Sequence, residues 1–272
     1  MNNLTQRILT GVAGASLIVG AIVYSETTFL VLLLLITILG LLEFYKLAAS
    51  ADLKPDKVMG LTAGILLFLP VLLNHQFGVG YNSLVLLLII PYVVFIKELY
   101  ARSERPFSNI AFTLLGIIYV AAPLFVFYLI SFVSEGQTYQ PKIILGYLFL
   151  LWASDTGAYF AGRSLGKHKL FERHSPKKTW EGSIGGTLLA IAMAFILGNY
   201  FTVLPLLDWL VMAVIIVVAG TWGDLVESMF KRSLQIKDSG QLLPGHGGIL
   251  DRFDGLFIST PFVLFYFLMK SA

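Results

Sequence analysis

Asp224, Glu227 and Ser228 stand at i, i+3 and i+4 in "GTWGDLVESMFKR", so a helix carries all three on one face, with Lys231 and Arg232 one turn further on. Two carboxylates so placed repel one another unless a bound cation or a shared proton sits between them. Asp251 and Asp254, in "LPGHGGILDRFDG", repeat the i, i+3 spacing. Pairing that face with Asp224 gives three hard oxygen ligands: Asp224, Asp251 and Asp254. The chain has no cysteine and only 4 histidines, too few soft or nitrogen donors for a zinc set. Hard ligands with open positions suit Mg²⁺, which keeps waters and takes up phosphate oxygens. The same spacing would also serve a proton-sharing pair in a transporter.

Two loops add to this constellation. Gly245–His246–Gly247–Gly248 lets backbone approach a ligand without a Cβ in the way, and His246 could donate to a phosphate, although a lone loop histidine is more often incidental. "SPKKTWEGSIGG" leads into a glycine-rich helix start, where backbone N–H groups favour an anion. The competing explanation for its lysines is ordinary cytoplasmic positive charge. Lys177, Lys178, Lys237 and Arg252 together could neutralise a polyphosphate. Asp155 lies in an otherwise apolar run with Arg163 two turns on, a pairing that could equally tie helices together. Carboxylates for a metal, glycine loops and a basic rim describe phosphoryl or nucleotidyl transfer. There is no "GxxxxGK[ST]" loop, so a nucleotide is not held in the P-loop way.

The elements that must position these residues are membrane helices. The 272-residue chain is 57% hydrophobic and 13% charged, far from a soluble composition, and its mean hydropathy is +0.82. Apolar runs of spanning length recur at about 5–24, 28–48, 58–74, 82–98, 108–133, 142–162, 182–204, 207–230 and 249–270. The expectation is an all-α, polytopic integral membrane bundle of about nine transmembrane helices, the first retained rather than cleaved as a signal peptide. With the N-terminus in the cytoplasm, 17 of the 19 Lys and Arg fall on the inside, all but Lys142 and Lys270. The C-terminus then lies outside, and every unusual cluster sits at the cytoplasmic ends of the last four spans. A single membrane domain is expected, with residues 1–140 as helical scaffold and 141–272 carrying the catalytic helices and loops. Absent cysteine excludes disulfides and thiol chemistry.

The run from Ser228 to Asp254, "SMFKRSLQIKDSGQLLPGHGGILDRFD", resembles the signature of the phosphatidate cytidylyltransferases, or CDP-diacylglycerol synthases. Ser-x-x-Lys-Arg, Lys-Asp-x-Gly, Leu-Pro-Gly-His-Gly-Gly and Asp-Arg-x-Asp are all filled. "SDTGAYFAGRSLGKHKL" and "SPKKTWEGSIGG" are similar to the family's upstream blocks, while "FERH" at 171–174 departs from them. The motifs cover roughly 150–255, and the first half agrees only in being membrane helix. The resemblance implies that CTP and phosphatidate give CDP-diacylglycerol and pyrophosphate with Mg²⁺ required, a second cation near the same carboxylates being left open. It makes Asp224, Asp251 and Asp254 metal ligands and catalytic residues together with Lys237. Lys177, Lys178, Lys237 and Arg252 would hold phosphates, and Ser228, Lys231 and Arg232 would join them.

Phosphatidate presents an anionic oxygen at neutral pH, so its attack on the α-phosphorus of CTP needs no strong general base. The barrier is bringing two polyanions together, which a metal and a basic rim address. The competing readings are a CTP-dependent polyprenol or phytol kinase, which would release CDP, and a cation-coupled transporter. A transporter would be expected to hold its carboxylates near the midplane of related halves, and no repeat is found here. The expected partners are CTP, phosphatidate and membrane lipid, with no nucleic acid and a homodimer left open. The expected location is the bacterial cytoplasmic (inner) membrane, with the site facing the cytoplasm.

Overall fold

A computed structural model describes residues 3–77, 88–134, 136, 138–236, 240 and 247–271. Its helices in chain order are α1 (Asn3–Tyr24), α2 (Glu26–Ala49), α3 (Lys57–Phe77), α4 (Ile90–Ala101), α5 (Pro106–Gly116), α6 (Ala122–Ile130), α7 (Pro141–Leu165), α8 (Trp180–Tyr200), α9 (Leu206–Ser233) and α10 (Leu250–Ser271). A π turn, Ile117–Ala121, joins α5 to α6 so that they run as one element of 25 residues. Between α7 and α8 lies an antiparallel hairpin of β1 (Lys169–Phe171) and β2 (Ser175–Thr179), which the sequence patterning left as a basic loop. Strands of three and five residues are too short to declare a period of two, and here four of their eight residues are exposed.

Six elements are long and apolar enough to cross a membrane: α2, α5–α6, α7, α8, α9 and α10. This is a multi-pass helical membrane protein. Helices α1 and α3 have 22 and 21 residues, and their apolar stretches within the described residues are Leu9–Tyr24 and Lys57–Val71. Helix α4 has 12 residues. Most of the first half of the expected 82–98 span lies outside the described residues. Six such spans are found among the described residues, against about nine expected from the sequence.

Local chemistry sets the joints. Ser25 Oγ accepts from Thr28 N and Thr28 Oγ1 accepts from Ser25 N, both at 3.1 Å. This reciprocal cap starts α2 one residue after α1 ends. Thr179 closes β2 and at once caps α8, its Oγ1 accepting from Gly182 N at 3.2 Å. In lipid, helices gain little from burying apolar surface, so close packing of small residues does more of the work. A Cβ on Gly157 of α7 would meet the carbonyl oxygen of Gly185 of α8 at 2.5 Å, and one on Gly223 of α9 would meet Cα of Gly255 of α10 at 2.9 Å. These contacts bring the backbones of α7, α8, α9 and α10 together. Phe44, Tyr147, Trp209 and Phe257 are buried in the core, and Tyr45 of α2 is buried against Gly60 of α3 and Gly116 of α5.

Candidate active site

The Gly223–Gly255 contact decides what meets at the interface of α9 and α10, because Asp224 follows the first glycine and Asp254 precedes the second. Carboxylate oxygens of Asp224, Glu227 and Asp254 lie within 4.8 Å of one another. Of the expected trio, Asp224 and Asp254 are brought together, but the third place is taken by Glu227 rather than Asp251. Asp251 is the second residue of α10 and turns back on the chain before it. Its Oδ2 accepts from Gly248 N at 3.1 Å and its Oδ1 pairs with Lys231 Nζ at 2.7 Å. Glu227, one turn from Asp224 and with a longer side chain, reaches inward instead.

Lysines bracket the cluster. Lys231 Nζ bridges Asp251 and Glu227 Oε2, the latter at 2.6 Å, and Lys178 pairs with Asp224 while donating to Thr221 O at 3.4 Å. Glu227 is 2% exposed, and its Oε1 is buried without a hydrogen-bond partner among the described residues. Three carboxylates against two shared ammonium groups leave negative charge uncompensated in a low-dielectric setting. All-oxygen donors, clustered and short of positive charge, fit a hard divalent cation.

These groups line one wall of a cleft of about 1250 Å³. The other walls are Ser154, Asp155, Tyr159 and Gly162 of α7, Lys177, Lys178 and Thr179 of β2, and Gly182 and Ser183 at the start of α8. Arg252 and Gly247 complete the rim. Gly247 has φ +86°, and a Cβ there would stand 2.7 Å from Asp251 Oδ2, so that turn requires glycine. The hairpin is fixed to α8 by Glu181, which accepts from Lys167 N at 3.1 Å and pairs with His168 Nδ1 at 2.6 Å. That attachment holds Lys177 and Lys178 over the cleft.

Other residues singled out by sequence fall elsewhere. Ser228 is partly buried and is not among the cleft-lining residues. Arg232 is exposed and donates to Ile236 O at 3.3 Å, closing the end of α9. Lys237 and His246 lie outside the described residues. Asp155 opens onto the cleft, whereas Arg163 donates to Tyr159 at 2.9 Å, so the helix-tying pair between them does not form. Sequence reasoning passed over Glu43 of α2, a buried carboxylate that accepts from Ile249 N at 2.7 Å. Its signal was present: an acidic residue inside an apolar span carries the same insertion cost as Asp251, roughly 2.5–3.5 kcal/mol.

A polytopic helical bundle with carboxylates and lysines lining one cleft defines a class, and comparison with known proteins agrees with it. The profile of the cytidylyltransferase family matches residues 5–270, and the chain belongs to that family. It is 35% identical over 276 residues to the phosphatidate cytidylyltransferase of Bacillus subtilis (strain 168), covering 97% of this chain and 98% of the relative. The proteins of the same name from Staphylococcus epidermidis (strain ATCC 12228 / FDA PCI 1200) and Staphylococcus aureus (strain COL) are each 36% identical, over 236 and 235 residues, with 85% of this chain and 88% of each relative covered.

Proposed function

We infer that this chain condenses CTP with phosphatidate, forming CDP-diacylglycerol and releasing pyrophosphate. The observation that carries the reading is the joining of Asp224, Glu227 and Asp254 with a lysine-lined cleft at the ends of membrane spans, in a chain of the cytidylyltransferase family. Asp224 and Asp254 would hold Mg²⁺, with Glu227 as the third donor and Asp251 one lysine away. Bound there, it supplies positive charge to the nucleotide phosphates and to the departing pyrophosphate.

The chain's own groups do the rest. Lys178 and Lys231 hold the carboxylates in place, and Lys177 and Arg252 stand exposed on the rim to meet phosphate. Lys237 keeps the phosphate-binding role that the resemblance implies, and His246 the donor role expected from its place in the glycine loop. A phosphatidate oxygen attacks the α-phosphorus, the bond from that phosphorus to the bridging oxygen breaks, and pyrophosphate leaves with the electron pair. No side chain need remove a proton, so positioning and charge compensation are the whole task.

Nine spans, a cytoplasmic N-terminus and a location in the bacterial inner membrane with the cleft facing the cytoplasm fit the distribution of Lys and Arg. Residues 1–140 then act as scaffold and 141–272 as the catalytic part of one membrane domain. Purified protein incubated with phosphatidate and CTP labelled at either the α- or the γ-phosphate tests the reaction. Label from the α-position in lipid and from the γ-position in pyrophosphate is the expected outcome. Label from the γ-position in lipid, with CDP released, would instead make it a lipid kinase.

A further inference from the structure

Glu43 sits toward the C-terminal end of α2, in the half of the chain that otherwise reads as plain lipid-facing helix. It is 7% exposed, and its two oxygens meet the first backbone N–H groups of α10. Ile249 N donates to Oε2 at 2.7 Å and Leu250 N donates to Oε1 at 3.3 Å. Amides at a helix start have no partner within the helix, and the positive end of the helix dipole favours a carboxylate.

The next residue of α2 grips the other carboxylate-bearing helix. Phe44 stacks on Phe230 of α9 with ring centroids 5.0 Å apart and 7° between planes. Phe230 lies three residues beyond Glu227. One residue further along α2, Tyr45 donates its hydroxyl to Thr113 O of α5 at 2.8 Å, which anchors this stretch of α2 to the scaffold. Three consecutive residues thus tie α10, α9 and α5 to one another.

We propose that Glu43 is a positioning residue for the reaction: by capping α10 it sets the height of that helix and so places Asp254 beside Asp224. Asp254 lies four residues after Leu250, one turn from the capped amides, and a shift at that end moves it directly. Glu43 itself is not a cleft-lining residue. This inference rests on the reading of Asp224 and Asp254 as the carboxylates that hold the cation.

The test uses Glu43→Ala and Glu43→Gln in the full chain, with kcat, KM for CTP and Mg²⁺ activation measured on purified protein. Glu43→Ala is expected to lower kcat about 100-fold while KM for CTP stays within about threefold. Glu43→Gln keeps one oxygen acceptor and should recover most of that loss, to within about tenfold of the wild type. A second readout is independent of turnover. The chain contains no cysteine, so Ile249→Cys introduces a single thiol at a buried position. Maleimide labelling of that thiol should be slow with Glu43 present and about tenfold faster beside Glu43→Ala, because the uncapped helix start frays. Equal labelling rates, or a Glu43→Ala protein with kcat within about threefold of the wild type, would overturn the proposal. A wild-type chain that releases no pyrophosphate would instead overturn the functional reading, whatever the labelling rates.

Discussion

At one end of the α9–α10 pair, Asp208 is 1% exposed and accepts three hydrogen bonds from two groups: Lys270 Nζ donates to its two oxygens at 2.7 and 2.5 Å, and Tyr266 donates to Oδ1 at 2.8 Å. At the other end, Asp224, Glu227 and Asp254 crowd together with Lys178 and Lys231 at the margins and one Glu227 oxygen buried without a partner among the described residues. The same two helices therefore carry a closed charge cluster and an open one. In the closed cluster, one carboxylate has one ammonium and a hydroxyl, which ties the start of α9 to the end of α10. In the open cluster, carboxylates outnumber the ammonium groups, and a wide cleft stands beside them. A buried carboxylate is a sign of function when its neighbours leave its charge unbalanced, and a sign of architecture when they do not.

Substitutions at the two ends should separate cleanly. The largest effect is expected from Asp254→Asn, which keeps the shape of the site but removes a charge from the open cluster. CDP-diacylglycerol formation should fall about a thousandfold with the thermal unfolding midpoint unchanged, measured by product assay and detergent-phase melting. Gly247→Ala comes next. The left-handed backbone and the approach to Asp251 would cost about 1–3 kcal/mol locally, and about a tenfold loss of kcat is expected from displaced loop and carboxylate. At the closed end, Lys270→Met leaves Asp208 with the Tyr266 hydroxyl. Breaking a fully buried pair costs about 3–5 kcal/mol, but Lys270 is half-exposed, so about 1–3 kcal/mol of stability is expected instead. The folded fraction of Lys270→Met should turn over within about twofold of the wild type, because nothing at that end reaches the cleft.

The two ends also differ in how far the sequence disclosed them. Helix spacing placed Asp224 with Glu227, and Asp251 with Asp254, on shared faces, and the glycines nearby marked where backbones could approach. Periodicity fixes the face of a side chain but not its depth or its reach. Asp251 was therefore grouped with the ligands although Lys231 and Gly248 hold it, and Glu227 takes the place beside Asp224. The long apolar runs showed the bundle because hydropathy over about 20 residues is a strong signal. The hairpin at 169–179 was hidden because its strands are short and charged. Glu43 was hidden for another reason: its partner amides lie 206 and 207 residues away, a distance that no local pattern spans.

Cation binding by the purified protein, followed by titration calorimetry with Mg²⁺ and with Mn²⁺ as a paramagnetic probe, tests the contrast between the two clusters most directly. The expected result is one site in the wild type, retained in Lys270→Met and weakened at least about tenfold in Asp254→Asn. Equal binding by wild type and Asp254→Asn, or loss of binding in Lys270→Met, would contradict the assignment of the open cluster as the cation site.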